Sequence, residues 1–216
     1  MTFTTDFDPF HTASPLQAAS RFDHCFAAYG LNLIKQASPE QGTVTLIARS
    51  PASPPAQALA MNLQRFQPLS IEVRIIFAQL GPVSALDFVL QALSTACRRP
   101  PEETVRWAQD RRLLDAHECL TLGQTLCWTG DSMRRSEDSR SAIDRFYDDD
   151  RNPEIIAGAI ASFSALWEVA KPLPKTLFAG AQAQNAAAAL EEQPAQHLAP
   201  GTKVVRIDDY LRARRH

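Results

Sequence analysis

The sequence predicts an α/β (α+β mixed) fold: a mixed β-sheet flanked by helices, with a flexible C-terminal tail beyond it. Three observations predict it. Helical and extended patterns alternate from residue 15 to about residue 93, as helix, strands, helix, strand, helix. That order favours helices layered on a sheet. Residues 70–80 (SIEVRIIFAQL) pass from period-two alternation into a continuous apolar run, the mark of a buried central strand. Residues 113–129 carry two extended runs about a Gly-containing turn, the mark of a hairpin.

The elements follow in order. Ser14-Pro15 starts a helix, because Ser supplies a cap acceptor and Pro suits the first helical position. Leu16, Ala19, Phe22, Cys25 and Phe26 then recur at helical spacing, and Gly30 is read as the stop. Residues 31–34 and 42–48 read as paired strands about the turn Ser38-Pro39-Glu40-Gln41. Ser53-Pro54 opens a second helix carrying Leu59, Leu63 and Phe66. After the strand at 70–80, Gly81-Pro82 breaks the chain, and Leu86, Val89, Leu90 and Leu93 line one face of a third helix. Residues 104–108 and 113–122 read as strands, and Gly123-Gln124 as a two-residue turn with the return strand at 125–129. Residues 130–135 (GDSMRR) are a polar loop feeding a helix capped by Ser136, with Glu137 and Asp138 in its first turn. A last helix after Pro153 uses Ile156, Ile160, Phe163 and Trp167. Trp107, Trp128 and Trp167 all fall inside these elements and read as core.

The domain is therefore expected over residues 1–174. Residues 175–200, rich in Ala and Gln, have too few large apolar groups to bury and read as a linker. Residues 201–216 hold Val204, Val205, Ile207, Tyr210 and Leu211 ahead of a basic end, an island that docks on its own domain or on another protein.

Composition narrows the function. With 45% apolar and 21% charged residues in a chain of 216, one sizeable core is expected. A net charge of −2, with Arg and Lys scattered, argues against a nucleic-acid partner and against an anionic membrane. No apolar stretch is long enough to span a bilayer and the N-terminus lacks a secretory pattern, so a cytoplasmic location is expected. Cys25, Cys97, Cys119 and Cys127 have no close-paired spacing and read as reduced, buried thiols rather than metal ligands. The run Asp148-Asp149-Asp150 reads as a solvated break between helices, not a cation loop, whose ligands alternate. There is no glycine-rich phosphate loop, no G-x-S-x-G and no H-E-x-x-H, so no cofactor is expected.

One constellation can carry chemistry. On an extended 113–122 segment, Asp115, His117, Cys119 and Thr121 share a face, and Thr125, Cys127 and Thr129 extend it across the hairpin. Ser132, Arg134 and Arg135 follow at the strand end, a set of groups suited to an anion. The run DAHECLTLGQTLCWTGDS, residues 115–132, resembles the signature region of the phospholipase D superfamily, with a His-x-Lys strand, a hairpin with Asp, and Gly-Ser before a helix. The resemblance implies a mixed sheet flanked by helices, a homodimer, and His117 as the phosphate-attacking nucleophile or proton donor. This chain departs from the pattern at telling places. Cys119 stands where the family has lysine, Gln124 where it has the histidine-orienting aspartate, and Gly130-Asp131-Ser132 where it has Gly-Ser. A phosphoryl transition state needs positive charge at its equatorial oxygens, which Cys119 does not supply and Asp131 opposes. The expectation is a non-catalytic interaction or regulatory protein on a degenerate phospholipase D-like domain. An active phosphodiesterase or phosphotransferase using His117, with Arg134 or Arg135 as clamp, is the alternative.

Overall fold

The computed structural model describes residues 15–35, 42–67, 69, 71–114, 116–131, 144–174 and 177. They belong to one compact unit that ends at Leu177. The expected linker, the island at 201–216 and the helix after Ser136 lie outside the described residues.

Five helices are described: α1 (Pro15–Lys35), α2 (Pro54–Asn62), α3 (Val83–Ala96), α4 (Pro101–Thr104) and α5 (Pro153–Val169). The strands are β1 (Thr43–Ala48), β2 (Glu72–Phe77), β3 (Val105–Trp107), β4 (Glu118–Leu122), β5 (Leu126–Gly130), β6 (Asp144–Asp148) and β7 (Lys171–Pro172). They form one seven-stranded sheet in the order β6-β5-β4-β1-β2-β3-β7. β1, β2 and β3 are parallel, while β4, β5 and β6 continue antiparallel from β1. The α/β fold with a mixed sheet is thus as the sequence predicts.

Side-chain alternation divides the core between the two faces of the sheet. Val44, Leu46, Leu120, Leu122 and Trp128 are buried towards the layer of α1, α2 and α3. There Phe22 of α1 meets the Trp128 ring edge-on, with centroids 4.9 Å apart, an arrangement aromatic rings favour. Ile47 and Ile76 face the other way, against Phe163, Trp167 and Ala170 from α5 and its end. Trp167 also carries the Arg106 guanidinium 4.5 Å above its ring, and Arg106 donates to the Trp167 carbonyl. Trp128 and Trp167 are buried as expected, while Trp107 is half-buried with its indole N–H on the Ala78 carbonyl. No helix among the described residues is long and apolar enough to cross a membrane.

Five local expectations are corrected. Residues 31–34 are not a strand; α1 continues through them to Lys35. Gly30 does not stop the helix but lets it approach the 3-10 turn Leu63–Phe66 that follows α2, since a Cβ there would lie 3.2 Å from the Phe66 ring. The extended run at 113–122 is shorter than expected, because Arg111–Leu114 is a 3-10 turn and pairing starts at Glu118. The hairpin turn takes three residues, 123–125, so the return strand begins at Leu126 rather than Thr125. The acidic run begins at the last residue of a strand, β6, and does not follow a helix; its Asp148 carboxylate accepts the Arg151 N–H at 2.9 Å.

Candidate functional site

The site forms where the carboxyl end of β1 meets the start of β4 and the end of β5. Backbone pairing stops there, so side chains project beyond the ladder; open α/β sheets gather their ligands at strand carboxyl ends. Arg49 directly follows β1 and is held extended. Its carbonyl accepts the Gln79 N–H at 2.9 Å, and its own N–H donates to Glu118 Oε1 at 3.0 Å. Glu118 is the first residue of β4 and is almost wholly buried.

His117 and Asp131 are brought together by the register of the hairpin. Leu122 pairs with Leu126, and the ladder steps outward to Glu118 opposite Gly130. The next step outward sets His117 opposite Asp131. Asp131 Oδ1 lies 3.0 Å from His117 Nδ1 and 2.7 Å from Arg49 Nη2, while the same Arg49 nitrogen donates to the Ala116 carbonyl at 3.0 Å. A carboxylate only accepts, so Nδ1 carries the hydrogen and the lone pair falls on Nε2.

Burial grades across the cluster. The Arg49 and Asp131 side chains are 7% and 5% exposed, whereas that of His117 is 47% exposed. The imidazole is therefore fixed from behind by a buried ion pair and reaches solvent in front. Asp131, read from sequence as charge of the wrong sign, is matched by Arg49. Gln124, expected from the resemblance to stand where an orienting aspartate would, is exposed at the hairpin tip, the far end of the ladder from His117. In this chain Asp131 takes the place opposite the histidine.

Cys119, expected from the resemblance to stand where a lysine would, is engaged elsewhere. Its Sγ lies 3.8 Å from Cys127 Sγ on the neighbouring strand. One proton lies between the two sulfurs. The hydrogen bond lets the pair give up a first proton more readily than an isolated thiol does. That hydrogen bond, burial and charge repulsion then hold the second well above the ordinary range.

Of the residues singled out from sequence, His117 is placed in this cluster. Ser132, Arg134 and Arg135 lie outside the described residues. Arg49 and Glu118 are the members that sequence reading missed. The available signal for Arg49 was a charged residue straight after an apolar strand (TLIAR), where a parallel sheet ends. Among the described residues no three His, Cys, Asp or Glu side chains gather as a metal would need. Comparison of the chain with protein-family models, with curated proteins and with solved structures gives no match.

Proposed function

We propose that this chain is a non-catalytic interaction or regulatory protein built on a degenerate phospholipase D-like domain. The observation that carries this reading is the state of Cys119. A phosphoryl transition state is stabilised by cations aimed at its oxygens. The lysine position here holds a thiol turned onto Cys127 inside the hairpin. The buried guanidinium beside His117 belongs to Arg49, and it is engaged by Asp131 and the Ala116 carbonyl. The proposal includes a homodimer, carried over from the resemblance, and a second protein contact through residues 201–216. The test is hydrolysis of a chromogenic phosphodiester by purified protein, with His117→Ala alongside. No turnover in either is expected; turnover lost in His117→Ala overturns the reading.

A second reading is favoured by one specific observation, the Asp131 carboxylate on His117 Nδ1. It leaves a half-exposed imidazole in the tautomer a nucleophile or general base requires. An active phosphodiesterase or phosphotransferase would then work through His117 Nε2, forming a bond to phosphorus as the alcohol leaves. Its mark is an acid-labile phosphohistidine at position 117 after incubation with a phosphodiester, detectable by phosphorus NMR.

A further inference from the structure

We infer that Cys119 and Cys127 are a reversible thiol–disulfide pair that ties the strand presenting His117 to the strand presenting Asp131. The inference does not depend on the function proposed above, because it needs only the hairpin.

The geometry is set by the register. Cys119 stands opposite Thr129, and Cys127 opposite Thr121. The two cysteines are therefore diagonal neighbours on one face of adjacent antiparallel strands, about 7–8 Å apart at the backbone, and their side chains turn towards each other to meet. Their sulfurs are already in contact at 3.8 Å, with either able to donate its hydrogen. Thr121 and Thr45 continue the polar strip on this face with hydroxyl oxygens 2.6 Å apart. Access is unequal: Cys119 is partly exposed, whereas Cys127 is fully buried. An oxidant therefore meets Cys119 first and Cys127 acts as the resolving thiol behind it. Proton sharing between the sulfurs supplies a thiolate more readily than an isolated buried thiol does.

The oxidant named here is hydrogen peroxide. Once the pair has lost its first proton, the Cys119 sulfur attacks one peroxide oxygen as the proton it shares passes to Cys127; the O–O bond breaks, Cys119 becomes a sulfenic acid, and the departing hydroxide takes up the proton first released to leave as water. Cys127 then attacks the Cys119 sulfur, the S–O bond breaks, and the hydroxide leaves as a second water with the Cys127 proton. Two thiols and one peroxide thus give one disulfide and two waters; the thiols lose two electrons to the peroxide. Closing the sulfurs from contact to bonding distance draws β4 and β5 together between the Glu118–Gly130 pair and the turn. Cys25 and Cys97 sit on α1 and at the end of α3 and are not part of the pair.

The experiment is peroxide titration of the folded, full chain, read by intact mass, by alkylation of remaining thiols and by peptide mapping. Two of the four thiols are expected to disappear together, with the mass falling by two hydrogens, a linked peptide joining Cys119 to Cys127, and full return of both thiols with dithiothreitol. Cys119→Ser and Cys127→Ser each abolish the linked peptide, while the Cys25→Ser/Cys97→Ser double variant keeps it. Retention of all four thiols in excess peroxide overturns the inference. So does irreversible oxygen addition at Cys119 without a link, or a link that includes Cys25, Cys97 or a second chain. The wild-type measurement decides the matter even if a serine variant fails to fold.

Discussion

Asp131 stands opposite His117 across the hairpin and holds its Nδ1 at 3.0 Å, while Arg49 grips the same carboxylate oxygen from behind. A half-exposed histidine is thereby oriented by a buried ion pair. Such a pair is expensive to break from one side, because the remaining charge stays buried and unmatched.

Breaking it should therefore be costly in either direction. Asp131→Ala and Arg49→Ala are each expected to lower unfolding free energy by roughly 3–5 kcal/mol, measured by urea denaturation. The Arg49→Met/Asp131→Leu double variant should cost less than either single change. Additive losses would mean that the two residues do not act as a pair.

Ser53 gives an expectation opposite to the usual rule for helix caps. It occupies the N-cap of α2, but its hydroxyl makes no cap hydrogen bond and is buried without a partner among the described residues. Pro at the start of α2 removes donors that a cap would satisfy. Ser53→Ala should then be neutral or stabilising in thermal unfolding, instead of costing the ~1 kcal/mol that loss of a Ser cap ordinarily does.

Stability should fall on the alkaline side. Burial pushes the Cys97 thiol from 9.0 up to about 11. Burial likewise pushes the Tyr29 phenol from 10.0 up to about 12, against a smaller opposing pull from a hydrogen bond with the Thr43 backbone. Both groups ionise more readily in the unfolded chain, so the folded state binds more protons in this range. Their contribution is intact below pH 9.0 and is lost as the pH rises towards about 12. A urea series across that range should show the decline, and Cys97→Ala and Tyr29→Phe should each flatten it.

Gly123 begins the hairpin turn with φ +58°, and a Cβ there would lie 3.0 Å from the Tyr29 hydroxyl. Gly123→Ala should cost about 1–2 kcal/mol from the left-handed backbone alone, with the Tyr29 contact adding to it. Thermal melting of the variant checks this; an unchanged melting temperature would show that the turn relaxes freely.

The fold was legible in the sequence where burial is strong. The run containing Val73, Ile75, Ile76 and Phe77 can only be a central strand, and Leu86, Val89, Leu90 and Leu93 can only be one helix face. Boundaries were not legible where a glycine serves packing. Gly30 looks like a helix end, but its role is the approach to Phe66, a tertiary fact no local window contains. β6 was hidden by its charges: Arg145 and Asp148 are exposed on a sheet edge, and Phe146 alone reaches the aromatic cluster of Phe22 and Trp128. His117 was visible as a polar residue among small and polar neighbours on one face of an extended run. Its partner was not, because a turn read one residue too short sets Gly130 across from it and leaves Asp131 one place out.

That last point gives the turn at 123–125 an unusual standing. Exposed hairpin tips ordinarily tolerate gain or loss of a residue. Here the tip works as the zero of a ruler whose far end is read at Asp131. A slip of one strand on the other by a single residue would exchange Asp131 for Gly130 opposite the imidazole and turn one strand's thiol away from the other's. The register that the tip sets should thus be as tightly constrained as any side chain in the cluster, though the tip touches none of them.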